Sequence, residues 1–474
     1  MISNKLNELL QTFSSTDKLR FHKYLSSPFF NEQKDLIALY ELLTQGPPPG
    51  KTEKMGSKLG LWKMLFPSLP FDDVRYRRLH SDLLQLALDF IGYQQYRAHP
   101  VTPKIFLLHA LAKTRLDKHF NGVAKQAEAD LEKSGHQDAD FHYFRYMLQR
   151  RHHEHMEFSP GKDASFQYME AADYHLDCYY LTKKLEHYCD MLGYQNIRSA
   201  AADIYLFPDF LTQVENSPYL KEPSVEAYYL VALMALHPDQ EAYFFKLKAL
   251  VEKQAEMFRK KELQTLFIHL MNFCIYTKIN NGRIDYYKEL FALYRIALRQ
   301  EIIFDNGELD PHHYKNIITT SFYVREFAWA ENFIQEFTPR LPKADQENAL
   351  QYNLAQLYFH KGEFKKVIGQ LREVEYQTLA YALGSKLLLL RTYFELGEEQ
   401  ALDSLIDSFN IYLRRNKFMS NENKKQYLNA VRFTKKMAAV APYDKEAIRK
   451  IKSQIEACQA VAVKKWLLEK VDAL

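Results

Sequence analysis

FYVREFAWA (322–330), YFHKGEFKK (358–366) and YFELGEEQA (393–401) are the stretches on which the fold of this chain turns. Each begins with an aromatic pair, passes two spacers, and reaches a turn that leads into a second helix-forming run. Gly362 and Gly397 stand 35 residues apart, and Arg325 takes the equivalent place 37 residues before Gly362. TKINNGRIDYY (277–287), with Gly282, is a looser copy 43 residues earlier still. Self-similarity at such a period marks supersecondary units that bury their apolar faces on one another.

A period near 34 residues, with two helices and a turn glycine between them, resembles the tetratricopeptide (TPR) family, whose pattern is W-x2-L-G-x2-Y-x8-A-x3-F-x2-A-x4-P. In the second copy Leu354, Ala355 and Tyr358 fill the Leu, small and Tyr positions, Leu371 fills the Phe position, and Val367 replaces the small residue of the second helix. In the first copy Ala330, Ile334 and Pro342 match, while Ser321 stands where Tyr is expected. In the third, Leu389 and Tyr393 match, and Leu390 and Leu402 replace both small residues. No copy has the Trp. Large residues at small positions push paired helices apart, so the resemblance implies an irregular, right-handed α-solenoid of TPR-like hairpins over 311–410. It also implies a non-catalytic role, a scaffold or adaptor that binds a peptide or protein along the helical surface, because each added hairpin extends that surface.

Outward from the repeats, the composition agrees with an all-α chain. The 474 residues amount to about three domain equivalents. Apolar residues make up 47% and charged residues 26%, so disorder is a poor description of the whole. Only 15 glycines accompany 32 Tyr and 32 Phe, too few for the many turns of a small sandwich or barrel. Residues 1–99 read as a helical N-terminal module. It holds a helix over Asn4–Phe13 and a helix capped by Ser15, Thr16 or Asp17 and ended by Pro28. A third helix is capped by Asn31. A loop over 44–60, with three prolines and four glycines, reads as mobile. Val74, Leu79, Leu83, Leu86, Phe90 and Tyr93 predict a long helix to about Arg97, and His99, Pro100 and Pro103 mark a soft boundary. Residues 100–310 read as helical hairpins of divergent repeat type, with helices near 104–115, 120–134, 139–156, 165–192, 224–236, 239–258, 261–279 and 284–300. Glu301–Phe304 is the one strand-like run.

Chemistry is harder to find. Cys178, Cys189, Cys274 and Cys458 form no C-x-x-C pair, which fits a reducing compartment better than a disulfide scaffold. No phosphate-loop, dinucleotide or nucleophile-elbow motif occurs, so no catalytic residue, cofactor or metal is assigned. Within RRHHEHMEF (150–158), His152 and His155 share a helix face, but the spacing is wrong for H-E-x-x-H, and the cluster reads as a solvated helix end. His312 and His313, beside Pro311, read as surface or capping residues. The Tyr-rich stretches 140–147 and 177–189 read mainly as filling between helix pairs, with exposed peptide anchors as the other reading.

Net charge is +4, but residues 411–474 carry 15 Lys or Arg against 6 Asp or Glu. Arg414, Arg415, Lys425, Arg432 and Lys436 are the candidate partner-binding residues, the last three forming a basic ridge opposite Tyr427, Val431, Thr434 and Ala438. Such a ridge suits an acidic protein, RNA or an anionic membrane surface, and a nucleic-acid- or ribosome-associated factor is the second functional reading. RYRRLH (75–80) is a smaller basic group at a helix start. An all-helical enzyme without a recognisable motif is the third reading. No secretory signal and no transmembrane run are seen, so a cytoplasmic location is expected. The oligomeric state is not legible.

Overall fold

The computed structural model describes residues 5–45, 57–114, 116–157, 165–198, 207–371, 379–416, 419, 421–441 and 444–474. The chain divides into two compact units, Met1–His187 with Leu206–Val225, and Tyr188–Tyr205 with Glu226–Leu474. Both are helical, as the sparse glycine and the 3.6-residue periodicity require.

The first unit holds α1 (Lys5–Gln11), α2 (Ser15–Leu25), α3 (Lys34–Gln45), α4 (Lys58–Leu65), α5 (Asp73–Ala98), α6 (Thr102–Ala112), α7 (Asp117–Ser134), α8 (Ala139–Glu157), the larger part of α9 (Ser165–Arg198) and α10 (Phe207–Glu215). Ser14, not the residues after it, caps α2. Its hydroxyl accepts from the Asp17 amide at 3.1 Å, and the Asp17 carboxylate accepts from the Ser14 amide at 3.2 Å, a reciprocal capping box. Asn31 makes a local turn with Gln33 rather than capping α3. α4 begins inside the expected 44–60 loop, capped by Ser57, and positions 46–56 of that loop lie outside the described residues. On α5 the buried face is Tyr76, Leu79, Leu83, Ala87 and Phe90. Val74 is 78% exposed and Tyr93 42%, so the apolar stripe lies slightly round from the expected one. α6, α7 and α8 close around Ile105, Leu108, Phe120, Leu131 and Leu148, and the small Ala124 and Ala127 allow the close approach. α10 and the short 3₁₀ turn Pro218–Lys221 were not expected from the sequence.

The second unit holds α11 (whose full span is Pro223–Leu236), α12 (Ala242–Lys253), α13 (Lys260–Asn272), α14 (Tyr286–Arg299), α15 (Pro311–Tyr323), α16 (Phe327–Phe337), α17 (Lys343–His360), α18 (Phe364–Leu371), α19 (Leu379–Leu396), α20 (Glu399–Arg415), α21 (Asn421–Ala438), α22 (Lys445–Ala457) and α23 (Lys464–Val471). α13 widens into a π turn over Phe273–Lys278. The strand-like expectation at 301–304 resolves into a two-residue hairpin. β1 (Phe304–Asp305) pairs antiparallel with β2 (Glu308–Leu309) across Asn306 at φ 48° and Gly307 at φ 85°. Asn-Gly is the residue pair that such a turn demands.

Successive helices from α15 onward pack on one another in order: α15 on α16, α16 on α17, α17 on α18, α18 on α19, α19 on α20 and α20 on α21. Every second helix also touches the next in its own series, α15 with α17, α17 with α19 and α19 with α21. Ala355, Val367, Leu371, Leu388, Phe433 and Met437 fill the space between them.

Candidate interaction surface at the ends of the hairpin helices

The recurring sequence unit is a recurring backbone turn. Gly362 has φ 76° and Gly397 φ 67°, the left-handed conformation that lets a helix end sharply. Arg325, the odd residue of the three copies, has φ 63° and occupies the same conformation without glycine's freedom. In each turn the following amide donates to a carbonyl five residues back. Glu326 reaches Ser321 at 2.9 Å, Glu363 reaches Tyr358 at 2.8 Å and Glu398 reaches Tyr393 at 3.0 Å. Gly282, at φ 91°, repeats the pattern through Arg283 and Lys278 at 3.0 Å, so the looser fourth copy shares the turn.

These turns set side by side the C-terminal ends of α15, α17 and α19, and α23 meets side chains from this group of ends. Trp466 packs edge-on to Phe394 with ring centroids 5.5 Å apart, and its indole N–H donates to Glu395 at 2.8 Å. Lys470 Nζ donates to the other Glu395 oxygen at 2.6 Å. Lys465 Nζ lies 5.8 Å from the centre of the Tyr323 ring. Cations suit this place, because the aligned peptide dipoles give helix C-termini partial negative charge. Trp466, Leu467 and Val471 are buried, and they join Phe433 and Met437 of α21 in one apolar cluster.

Arg391 lies in the middle of the seat. Its guanidinium is 4.1 Å from the centre of Phe359 and 5.4 Å from that of Trp466. Its Nε is buried without a hydrogen-bond partner, and it makes no ion pair among the described residues. Burial lowers its pKa to about 10, with Glu395 opposing the shift. His360, packed against Phe322 at 4.8 Å, is brought down to about 4 by burial and by Arg391. Tyr323, 49% exposed, stacks on Tyr287 at 3.9 Å and continues the aromatic surface toward α14.

The sequence-predicted basic residues occupy a different surface. Arg414 and Arg415 are exposed at the end of α20, and Lys425, Arg432 and Lys436 are exposed on α21. Arg414, Arg415, Lys425 and Arg432 make no ion pair among the described residues, and Lys436 donates to Gln454 at 2.6 Å. The buried face opposite contains Ala430, Val431, Phe433, Thr434 and Met437, so Val431 and Thr434 lie where expected, while Ala438 is exposed. Part of the basic excess is consumed by capping. Lys424 donates to the Asn416 carbonyl at 3.0 Å, and Lys464 to those of Glu456 and Cys458 at 2.7 and 3.0 Å.

The other sequence candidates become structural. Arg75, Arg77 and Arg78 pair with Asp35, Asp73 and Asp82 at 3.0, 2.5 and 3.8 Å. The histidine run is not a solvated helix end: His153 and His155 are buried, His155 stacks on Phe120 at 4.0 Å and meets Asp117 at 3.1 Å, and His152 stacks on Tyr168 at 4.8 Å. Phe158, the end of the quoted run, lies outside the described residues. Asp310, missed in the sequence, caps α15 by accepting from the amides of His312 and His313. Among the described residues no three of His, Cys, Asp or Glu converge as metal ligands.

A second polar cluster lies in the first unit. The Nδ1 atoms of His142 and His175 are 3.0 Å apart, so one ring donates and the other accepts, and the accepting ring is neutral. Tyr174 donates to Glu222, whose other oxygen is 3.8 Å from His142 Nε2. Burial pulls both histidines down to about 4 and pushes the Cys178 thiol up to about 12, the opposite of what a nucleophile needs. A cleft of about 300 Å³ beside Phe13 and Phe90 has Asp17 as its one titratable lining group, and that carboxylate is held by Ser14. No described helix is long and apolar enough to cross a membrane. Set against protein-family models, curated proteins and solved structures, the chain matches none.

Proposed function

We propose that the chain is a non-catalytic protein-interaction scaffold. In this reading 311–410 form a right-handed α-solenoid of irregular TPR-like hairpins, and a protein or peptide partner docks at the C-terminal ends of α15, α17 and α19. The observation that supports it is the turn geometry shared by Arg325, Gly362 and Gly397, which sets a row of aromatic and charged side chains at one end of successive helices. Tyr323, 49% exposed, offers rigid ring area there, and beneath α23 lie the Phe359 ring, the Arg391 cation and the Glu395 anion, the mixture that dominates protein interfaces. A photo-cross-linking residue placed at Tyr323 tests this, with one at Phe106, 62% exposed in the first unit, as control. A cross-linked protein at Tyr323 and none at Phe106 supports the reading. Equal cross-linking at both positions, or none at Tyr323, refutes it.

A nucleic-acid-associated role is the second reading, favoured by the exposed, unbridged Arg414, Arg415, Lys425 and Arg432. It requires RNA affinity that falls steeply with salt and is lost in the triple change Lys425→Glu, Arg432→Glu, Lys436→Glu. Salt-insensitive binding contradicts it.

A further inference from the structure

We infer that the seat of α23 is a binding site for a short cationic helix, that α23 fills it from within the same chain, and that the external partner it fits is a helix of the same chemistry. That chemistry is an aromatic residue, a leucine immediately after it and a branched aliphatic residue four positions on, with lysines before the aromatic residue and in the last turn. The inference rests on the scaffold reading and specifies the partner for that surface.

The seat is chemically selective. Glu395 accepts from both the Trp466 indole and Lys470, so a single carboxylate reads an aromatic N–H and a cation one helical turn apart. Arg391 presents a buried guanidinium whose Nε has no hydrogen-bond partner, and aromatic rings stand beside it instead, Phe359 at 4.1 Å and the occupant's Trp466 at 5.4 Å. Phe394 closes the edge of the ring slot, and Tyr323 receives the leading lysine. An acidic helix would meet Glu395 and the negative ends of the helices.

The occupant is also built to leave. α23 has eight residues, fewer than an isolated helix needs to persist in water, so its order depends on the seat. Val463, immediately before it, has φ 52°, a conformation that a β-branched residue holds only under strain. The segment before Val463 is tied down independently, with the Ala462 amide on the Gln426 carbonyl at 3.1 Å and Asn429 Nδ2 on the Ala460 carbonyl at 2.8 Å. Strain is therefore concentrated at Val463, and the ties beyond it are Lys464 on the Glu456 and Cys458 carbonyls and Asp472 on Lys452 at 2.7 Å, so α23 leaves by rotation at Val463 with loss of those contacts while 460–462 remain on α21.

Fluorescence anisotropy with a labelled peptide of sequence 461–474 tests this on the full chain. The Trp466→Ala chain, which keeps every seat residue but loses the anchor of its own helix, is expected to bind the peptide at least tenfold more tightly than the unaltered chain. The same peptide with its own Trp466→Ala change is expected to bind at least tenfold more weakly. Equal affinity of the two chains, binding by neither, or indifference to the peptide's tryptophan overturns the inference. Should the altered chain not fold, amide exchange on the unaltered chain decides: α23 exchanging at least a hundredfold faster than α21 supports the latch, and equal protection overturns it. A dimer that exchanges α23 between copies, seen by light scattering, also overturns it in favour of a second copy as occupant. A partner cross-linked at Tyr323 despite peptide failure leaves the scaffold reading standing and removes only this chemistry.

Discussion

Arg325 sits where its two counterparts are glycine, and that difference has a measurable cost. A residue with a Cβ held in the left-handed region is disfavoured by about 1–2 kcal/mol. Replacing Arg325 by glycine relieves that cost but gives the unfolded chain freedom worth about 0.4–1 kcal/mol, so the expected net gain is about 0.5 kcal/mol. The reverse changes, Gly362→Ala and Gly397→Ala, are expected to cost about 0.5–1.5 kcal/mol each by the same reasoning. Nothing lies within 4 Å of a Cβ built at either glycine, so this cost is backbone strain alone and carries no packing contribution. Urea unfolding followed by tryptophan emission provides the assay, because Trp329 and Trp466 both belong to the unit that contains the turns. With a slope of about 2 kcal/mol per molar urea, each alanine variant moves the midpoint down by about 0.5 M and Arg325→Gly moves it up by about 0.25 M, with the slope unchanged. Destabilisation by Arg325→Gly, or indifference to both alanine substitutions, would refute the shared turn.

Gly384→Ala places a Cβ 2.7 Å from the Tyr352 hydroxyl oxygen, where α17 and α19 meet, and is expected to lower stability by about 1–3 kcal/mol, read by the same urea assay and lessened in a Tyr352→Phe background. Trp466→Ala empties a slot between Phe394 and Arg391 and is expected to destabilise the docked α23 by about 3–5 kcal/mol, seen as amide exchange accelerated over 464–471 far more than over α21. In the first unit His142 and His175 are neutral when folded and titrate near 4 rather than 6.5, so the unfolded chain takes up protons first as the pH falls. Stability from this source is present above pH 6.5 and lost between 6.5 and 4, by about 3 kcal/mol for His142, and His142→Asn is expected to flatten the pH dependence of urea unfolding read at Trp62.

Periodicity located the helices because burial of one face is a local demand on the sequence. It failed where the demand is distant. The run from His152 to His155 looked solvated because the groups that bury it, Asp117, Phe120 and Tyr168, lie on other helices. The RYRRLH group looked available because Asp35, 40 residues upstream, could not be assigned to Arg75 from spacing. The hairpin at 304–309 carries a strong local turn signal in Asn306-Gly307, but its paired strands are two residues each, too short for an alternating pattern to form. Arg325 was the opposite case: alignment of the three aromatic pairs placed a non-glycine residue at a glycine position, and the backbone there is indeed left-handed. The basic excess after residue 411 was visible, but not its partition between capping lysines such as Lys424 and Lys464 and the free surface of α21. The seat of α23 was invisible, because Trp466 and Glu395 are 71 residues apart and no pattern in either helix announces the other.

Residue-resolved amide exchange at Glu326, Glu363 and Glu398 tests the central claim most directly. Each of these amides donates to a carbonyl five residues earlier, at 2.9, 2.8 and 3.0 Å, and this bond exists only if one helix ends in the left-handed turn that starts the next. Consecutive hairpins closed this way predict that all three amides are protected, and to a similar degree. Exchange at the rate of an unstructured peptide at these three positions would contradict the account.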